Sequence, residues 1–167
     1  GDSTRYSYLN QMYKKISATD QIALVVCTGD NVANGGNYEY NKAHYNNVGF
    51  IKSSLFASVP GNHDCYAGTS SKIMGTLYFE AVHNNPKNAW DESVSDYWFM
   101  YNGVLFIMLD SIACHSNVST YLPKQQAWFE EVMEENKGKY QYVIVMQHYP
   151  WMDALTGERV GPYNTNY

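Results

Sequence analysis

The feature that most constrains this fold is a set of short apolar runs that each end in polar side chains. The clearest run, residues 55–59, is followed at once by Gly61-Asn62-His63-Asp64. Three further runs end similarly: residues 22–27 lead to Asp30, 104–109 to Asp110 and 142–147 to His148. Continuous runs of this kind are typical of parallel strands buried on both faces. Since ligands in such folds lie outside the carboxyl ends of the strands, we expect these polar residues to share one rim.

Helical patterns alternate with the apolar runs. In the first, residues 9, 12, 13 and 16 follow the spacing of an amphipathic helix. The predicted helices are residues 6–17, 38–53 and 72–82, and a fourth that begins near Pro123, buries Trp128, Phe129, Val132 and Met133 and ends at Gly138.

A hairpin is the clearest local signal. Residues 97–101 and 104–109 are separated by Asn102-Gly103, which favours a type I′ turn. Strands that alternate with helices predict an α/β fold, here with a mainly parallel sheet and one antiparallel piece. Residues 1–167 contain no repeat or linker, so we expect a single domain.

Composition limits the class of function. The 167 residues carry a net charge of −5 and no basic stripe, which argues against a nucleic-acid partner. No apolar run approaches the ~20 residues of a membrane span. Three cysteines without metal-site spacing indicate buried or free thiols, and 16 tyrosines against 11 Lys plus Arg lean towards an extracytoplasmic location. An anionic substrate would need positive charge from a bound ion.

The strand-end side chains are of the types that bind borderline divalent metals such as manganese, iron or zinc. An aspartate such as Asp30 can bridge two ions. Two metals roughly 3.5–4 Å apart stabilise both the attacking and the leaving oxygen of a displacement at phosphorus. A metal-held hydroxide would then be the nucleophile, and His63 would stabilise the phosphoryl group or protonate the leaving oxygen.

Gly29-Asp30-Asn31, Gly61-Asn62-His63-Asp64 and His148 resemble successive motifs of the calcineurin-like metallophosphoesterases, which include the purple acid phosphatases. Leu109-Asp110-Ser111 followed by residues 125–129 is similar to the stretch between the third and fourth motifs in many bacterial members. The resemblance implies a layered αββα sandwich, a small phosphorylated substrate and two divalent or trivalent metal ions (Mn, Fe or Zn).

The resemblance also implies a role for each motif residue. Asp30 would bridge the metals, Asn62 and His148 would bind the second metal, and Asp2 would bind the first. His63 and Asp64 would form the pair that handles the proton.

Three positions depart from the family pattern. Thr4 stands where the first motif has a His, Ala33 where purple members have a Tyr, and no Gly-His-x-His follows His148. A tyrosinate–iron site is therefore not supported. We expect this chain to lack the C-terminal motif and the first strand, and to bind one metal or none. The second sheet would then be incomplete, with an exposed edge that can pair with another chain.

Other interpretations remain open from the sequence. An isolated Gly-Asn-His-Asp can be a polar turn, but the other strand ends favour a site. Asp110 is predicted to be structural, capping its strand end. The alternative to a hydrolase is an inactive, metal-poor relative that acts as a binding module, and aromatic composition alone raises carbohydrate binding.

Overall fold

A computed structural model describes residues 8, 11–12, 14–16, 18–19, 22–31, 55–64, 86, 88–92, 94–116 and 118–150. Among these residues the strands are β1 (Leu24–Cys27), β2 (Leu55–Ser58), β3 (Tyr97–Tyr101), β4 (Val104–Met108) and β5 (Tyr142–Met146). The helices are α1 (Ser111–Ser116) and α2 (Val118–Glu135).

The strands form two sheets. In the first, β1 and β2 pair in parallel, with Leu24 opposite Leu55 and Cys27 opposite Ser58. In the second, of order β3-β4-β5, the hairpin pair is antiparallel and β4 pairs in parallel with β5. The predicted combination of parallel strands with one antiparallel piece is confirmed, although it is divided between two sheets.

Side chains alternate between the two faces of β4 and so create two cores. Phe106 and Met108 pack with Ala57, Val59 and Tyr97 between the sheets. On the opposite face, a second core packs against α2; its buried members are Leu105, Ile107, Leu109, Trp128 and Val132. The described residues therefore form successive sheet, sheet and helix layers, consistent with the predicted layered sandwich.

Tyr97 links the two sheets by hydrogen bonds as well as by packing. Its hydroxyl accepts the backbone N–H of Ser58 and donates to the Ser58 carbonyl, both at 2.9 Å. Because Ser58 ends β2 just before the Gly-Asn-His-Asp loop, the hairpin is fixed relative to that loop.

The turn between β3 and β4 is the one that its sequence predicts. Asn102 has φ 49° and Gly103 has φ 78°. Positive φ at both central residues defines a type I′ turn, and Asn-Gly adopts it at little cost. The hairpin prediction is confirmed.

The start of the second helix differs from the prediction. We expected Pro123 near its first position, but α2 begins at Val118 and contains Pro123 inside. Proline has no N–H to donate to the carbonyl of Ser119, which costs little here because Ser119 is exposed and water can bond that carbonyl. The sequence analysis also missed α1, whose first turn is capped by Asp110.

Other predicted boundaries fall within three residues of those observed, as single-sequence patterns allow; the largest difference is the end of α2, at Glu135 instead of Gly138. Residues 8, 11–12 and 14–16 are helical, but Met12 is 47% exposed rather than part of a buried face. The predicted helices 38–53 and 72–82 lie outside the described residues, as do Asp2, Thr4 and Ala33. No helix in the described part of the chain has the length and apolarity needed to cross a membrane.

Candidate metal centre

The loops that follow β1 and β2 touch through two glycines. A Cβ on Gly29 would lie 2.6 Å from the backbone nitrogen of Gly61, and a Cβ on Gly61 would overlap the backbone nitrogen and Oδ1 of Asp30. Gly29 also has φ 96°, which side chains rarely tolerate. Only glycine at both positions lets these loops approach so closely.

The Asp64 side chain links the same two loops by hydrogen bonds. It is fully buried, and its Oδ2 accepts the backbone N–H of Asp30 at 2.9 Å and that of Gly61 at 2.8 Å. Hydrogen bonds from neutral donors to a buried carboxylate are stronger than those between neutral groups. They help to hold Asp30 at φ 55°, a left-handed conformation that non-glycine residues seldom adopt.

The carboxylate of Asp30 lies at the centre of the cluster. Its Oδ1 accepts the backbone N–H of His63 at 3.0 Å and lies 3.4 Å from Nε2 of His148. The Asp30 side chain is 35% exposed, so it is open to a ligand from solvent.

His148 arrives from the other sheet, just after β5. Its Nδ1 lies 2.8 Å from the carbonyl oxygen of Thr28, and its Nε2 lies 2.9 Å from Oδ1 of Asn62. A carbonyl can only accept, so Nδ1 carries a proton and donates it. In the neutral ring, Nε2 then presents a lone pair.

Three electron-pair donors therefore converge: Nε2 of His148, Oδ1 of Asn62 and Oδ1 of Asp30. Such an arrangement is stabilised by a cation or by an additional proton. Imidazole, amide and carboxylate ligands suit manganese, iron and zinc, so the residues present fit a metal ion. The contact of Nδ1 with a backbone carbonyl is typical of metal-binding histidines, since it fixes the ring's orientation.

The ligand set is small in the described residues. No group of three or more His, Cys, Asp or Glu side chains there could hold a metal ion. Of the three ligand atoms described above, only those of Asp30 and His148 belong to such residue types. The third, Oδ1 of Asn62, is an amide oxygen. Asp2, the predicted ligand of the first metal, lies outside the described residues and its role stays a prediction.

Beneath the loops lies a buried polar layer. Asn31 is 2% exposed and donates from Nδ2 to Oγ of Ser58 at 3.0 Å, while its buried Oδ1 has no hydrogen-bond partner among the residues that the structure describes. Burial raises the pKa of the neighbouring Cys27 thiol, chiefly by desolvation, so the thiol stays protonated. Because Asn31 and Ser58 are buried and Cys27 is partly buried, these side chains do not form a second exposed ligand set.

The structure brings together all of the predicted site residues that it describes: Asp30, Asn62, His63, Asp64 and His148. Their proposed roles stay predictions. The Thr28 carbonyl was missed, because a backbone oxygen leaves no side-chain signal in a sequence. The Ser111 hydroxyl, which bonds the backbone beside His148, was also missed, although the Leu-Asp-Ser motif pointed to its position.

Comparison with known proteins gives one result. The family model described as calcineurin-like phosphoesterase matches residues 2–164 of the 167. Neither the curated proteins nor the solved structures yield a match.

Proposed function

Because this chain belongs to the calcineurin-like phosphoesterase family, which implies metal-dependent hydrolysis of phosphate esters in general, we propose that its own site hydrolyses a small phosphorylated substrate. In the proposal Asn62, His148 and Asp30 would hold one ion, of manganese, iron or zinc. Where a first ion is also bound, Asp30 would bridge to it and Asp2 would contribute to its binding.

One observation carries the proposal: the convergence of Nε2 of His148 with the oxygens of Asn62 and Asp30, at 2.9 Å and 3.4 Å. Nδ1 of the same ring is already engaged with the Thr28 carbonyl, so Nε2 is the nitrogen that remains for a ligand. With a neutral ring, Nε2 of His148 and the oxygens of Asn62 and Asp30 are all acceptors, and a metal ion in place of a proton on Nε2 would pair with all three.

The metal ions, when bound, supply positive charge for the developing charge on phosphoryl oxygens and make water a better nucleophile. They also supply the local positive charge that an anionic substrate needs on a chain of net charge −5. The chain's own contribution is to fix the positions of the ligand atoms. Asp64 does this through its hydrogen bonds to the backbone of Asp30 and Gly61, and the contact between Gly29 and Gly61 does it by holding the two loops together.

His63 is the proposed proton donor to the leaving oxygen. Its backbone N–H bonds the Asp30 carboxylate, so its side chain begins beside the proposed ligands. A protonated imidazole in that position can transfer its extra proton to a leaving alkoxide and become neutral, and such general acid catalysis contributes about 10²–10⁴-fold. Asp64 is proposed to assist it, in addition to bonding the two loops.

The test combines metal content with activity. The protein is loaded with Mn²⁺ or Zn²⁺, the bound metal is quantified, and hydrolysis of p-nitrophenyl phosphate (a monoester) and bis(p-nitrophenyl) phosphate (a diester) is measured. We expect Asp30→Asn to lower both metal content and rate. His63→Ala should keep the metal and lower kcat by about 10²-fold or more.

Glu134→Gln is the matched control, because it also converts a carboxylate to an amide but on the exposed face of α2. It should change neither readout. Undiminished hydrolysis in both Asp30→Asn and His63→Ala would contradict the proposed mechanism. A wild-type protein that takes up no metal and hydrolyses neither substrate would contradict the proposed function.

A further inference from the structure

The Leu109-Asp110-Ser111 motif and Gln125 take no part in the proposed chemistry, yet they meet in space. The side-chain Nε2 of Gln125 lies 2.9 Å from Oδ1 of Asp96 and 3.4 Å from the Asp110 carbonyl oxygen. All of these side chains are buried. A buried polar network of this extent fixes a unique arrangement when its members are satisfied.

Asp96 is the centre of that network. Its Oδ1 accepts the backbone N–H of Asp110 at 2.7 Å in addition to the Gln125 amide, and its Oδ2 accepts the indole N–H of Trp90 at 2.7 Å. Three short bonds from three different segments hold the backbone at Asp110 in place.

Asp110 in turn fixes the start of α1. Its Oδ1 accepts the backbone N–H groups of Ile112 at 3.2 Å and Ala113 at 2.9 Å, and its Oδ2 accepts that of Ser95 at 3.0 Å. This is the side-chain pattern of a helix N-cap. Ser111, between the cap and the first turn, is fully buried and has little freedom to move.

Residues 109–111 form hydrogen bonds with the backbone on both sides of His148. The N–H of Leu109 donates to the Met146 carbonyl at 2.8 Å, and the N–H of Tyr149 donates to Oγ of Ser111 at 3.1 Å. The backbone that carries the imidazole is therefore tied before and after it. The orientation of the imidazole then depends only on the side-chain torsions of His148, and the contacts of the ring with Thr28 and Asn62 fix those torsions.

We propose that Ser111 is a positioning residue for His148: its hydroxyl, held by the Asp96–Asp110 network, fixes the backbone beside the imidazole and so sets the metal affinity of the site. The inference rests on the proposed function, because it treats His148 as a ligand. The Leu109-Asp110-Ser111 motif of the family resemblance thereby gains a physical role.

The experiment measures two quantities on the full chain. One is the Zn²⁺ dissociation constant from competition with a chelator. The other is the pair of ring ¹⁵N chemical shifts of His148 in metal-free protein, assigned with the His148→Gln variant. We expect Ser111→Ala to weaken Zn²⁺ binding about tenfold, the lower end of the effect of outer-shell partners. It should also move the His148 ¹⁵N shifts, because the ring's hydrogen bonds change.

Two variants separate positioning from general stability. Ser111→Thr keeps the hydroxyl and should recover most of the affinity. Ser95→Ala also removes a hydroxyl next to Asp110, but only the backbone of Ser95 bonds that carboxylate, so both readouts should match wild type. Should Ser111→Ala fail to fold, Ser111→Cys, similar in size but a weak acceptor, carries the same expectation.

Wild-type affinity together with unchanged ¹⁵N shifts in the Ala or Cys variant would overturn the inference, even if the protein melts earlier. If wild-type protein binds no Zn²⁺, the proposed function fails, and the metal-free ¹⁵N shifts alone decide whether Ser111 orients the ring.

Discussion

At the scale of single residues, the candidate site depends on the contact between two backbone segments, the loops after β1 and β2. Gly29 and Gly61 allow the loops after β1 and β2 to approach so closely that Asp30 lies against the second loop. Asp30 itself adopts an unfavourable φ of 55°, which Asp64 stabilises through the N–H of Asp30. Strain of this kind collects at functional sites because the surrounding contacts can hold it.

Gly61→Ala should therefore damage the site more than the fold. The added methyl overlaps the backbone nitrogen and Oδ1 of Asp30, so the loops must separate. We expect Zn²⁺ affinity to fall by at least about tenfold and the free energy of unfolding to fall by about 1–3 kcal/mol. Chelator competition and urea denaturation measure the two effects.

Gly138→Ala supplies the comparison. Gly138 also has a positive φ, 77°, but, its own backbone and chain neighbours aside, no atom of the described residues lies within 4 Å of the added methyl. It should cost about 1–2 kcal/mol of stability and leave Zn²⁺ affinity unchanged. Equal affinity in the Gly61 and Gly138 variants would show that the loop contact does not shape the site.

A second residue-scale prediction concerns pH. Burial, and then the charge of Asp110, raise the pKa of Asp96 from 3.8 to about 7. The folded protein thus holds this proton more tightly than the unfolded chain does. The resulting stabilisation is complete below about pH 4 and is lost as the pH rises towards 7; its upper limit is about 4 kcal/mol.

Asp96→Asn removes this titration. The stability of wild type minus that of the variant, from urea denaturation, should decrease between about pH 4 and pH 7 and level off above. Glu92→Gln is the control: it shows how the loss of an exposed carboxylate on the same segment changes the stability over this pH range. A difference that stays constant over this range would mean that Asp96 titrates alike in both states.

At the scale of elements, the sheets are joined through Tyr97. Its hydroxyl both accepts from and donates to the backbone of Ser58, so β3 is bonded to the end of β2 across the inter-sheet core. Tyr97→Phe keeps the ring and removes both bonds. We expect a loss of about 2 kcal/mol in the free energy of unfolding, since each bond contributes roughly 0.5–1.5 kcal/mol and buried groups lose partners.

Tyr101→Phe is the natural control for that measurement, because Tyr101 lies on the same face of β3 and is only partly buried. It should change stability by under about 0.5 kcal/mol. If the two substitutions have equal effects in urea denaturation, the hydroxyl of Tyr97 does not tie the sheets together.

The elements show what a sequence can and cannot predict. The hairpin was predictable because Asn102-Gly103 specifies its own turn, and the strands because their apolar runs are continuous. The start of α2 was not, because Pro123 usually marks a first turn and the exposure of Ser119 is a tertiary property. The short α1 was missed because Asp110 was predicted to cap the strand end and fix a loop after it, whereas it caps the first turn of a helix.

At the scale of the whole molecule, the two edges of the three-stranded sheet differ. The edge of β3 is closed by Asn88, whose amide accepts the N–H of Trp98 and donates to its carbonyl, both at 3.0 Å. On β5, Tyr142, Ile144 and Val145 are exposed, and no described strand pairs with its outer edge. Residues 140–147 contain no charge or proline of the kind that protects edges.

Self-association through an exposed edge stays a prediction, and among the described strands we propose the outer edge of β5 for it. Sedimentation velocity of this chain at rising concentration should show a dimer, and Val145→Lys should suppress it by placing a charge on β5. Ala127→Lys places the same charge on the exposed face of α2 and should not. A monomer at every concentration tested would remove β5 as an interface.

The site itself was predictable in its members but not in its assembly. Side-chain types after each strand predicted Asp30, Asn62, His63 and His148, since parallel strands end at one rim. The contacts that orient them, through Thr28, Ser111 and the glycine pair, depend on backbone atoms and distances. Membership in the purple acid phosphatase-like branch and an extracytoplasmic location stay predictions.

The bond from His148 to the Thr28 carbonyl joins residues 120 positions apart. Closing a loop of that length has an entropic cost that contacts elsewhere in the core must offset. We therefore expect the candidate metal centre to assemble after the hairpin and the helix that packs on it. Uptake of a metal ion would then report completed folding and, by binding only the native state, pull the last steps forward.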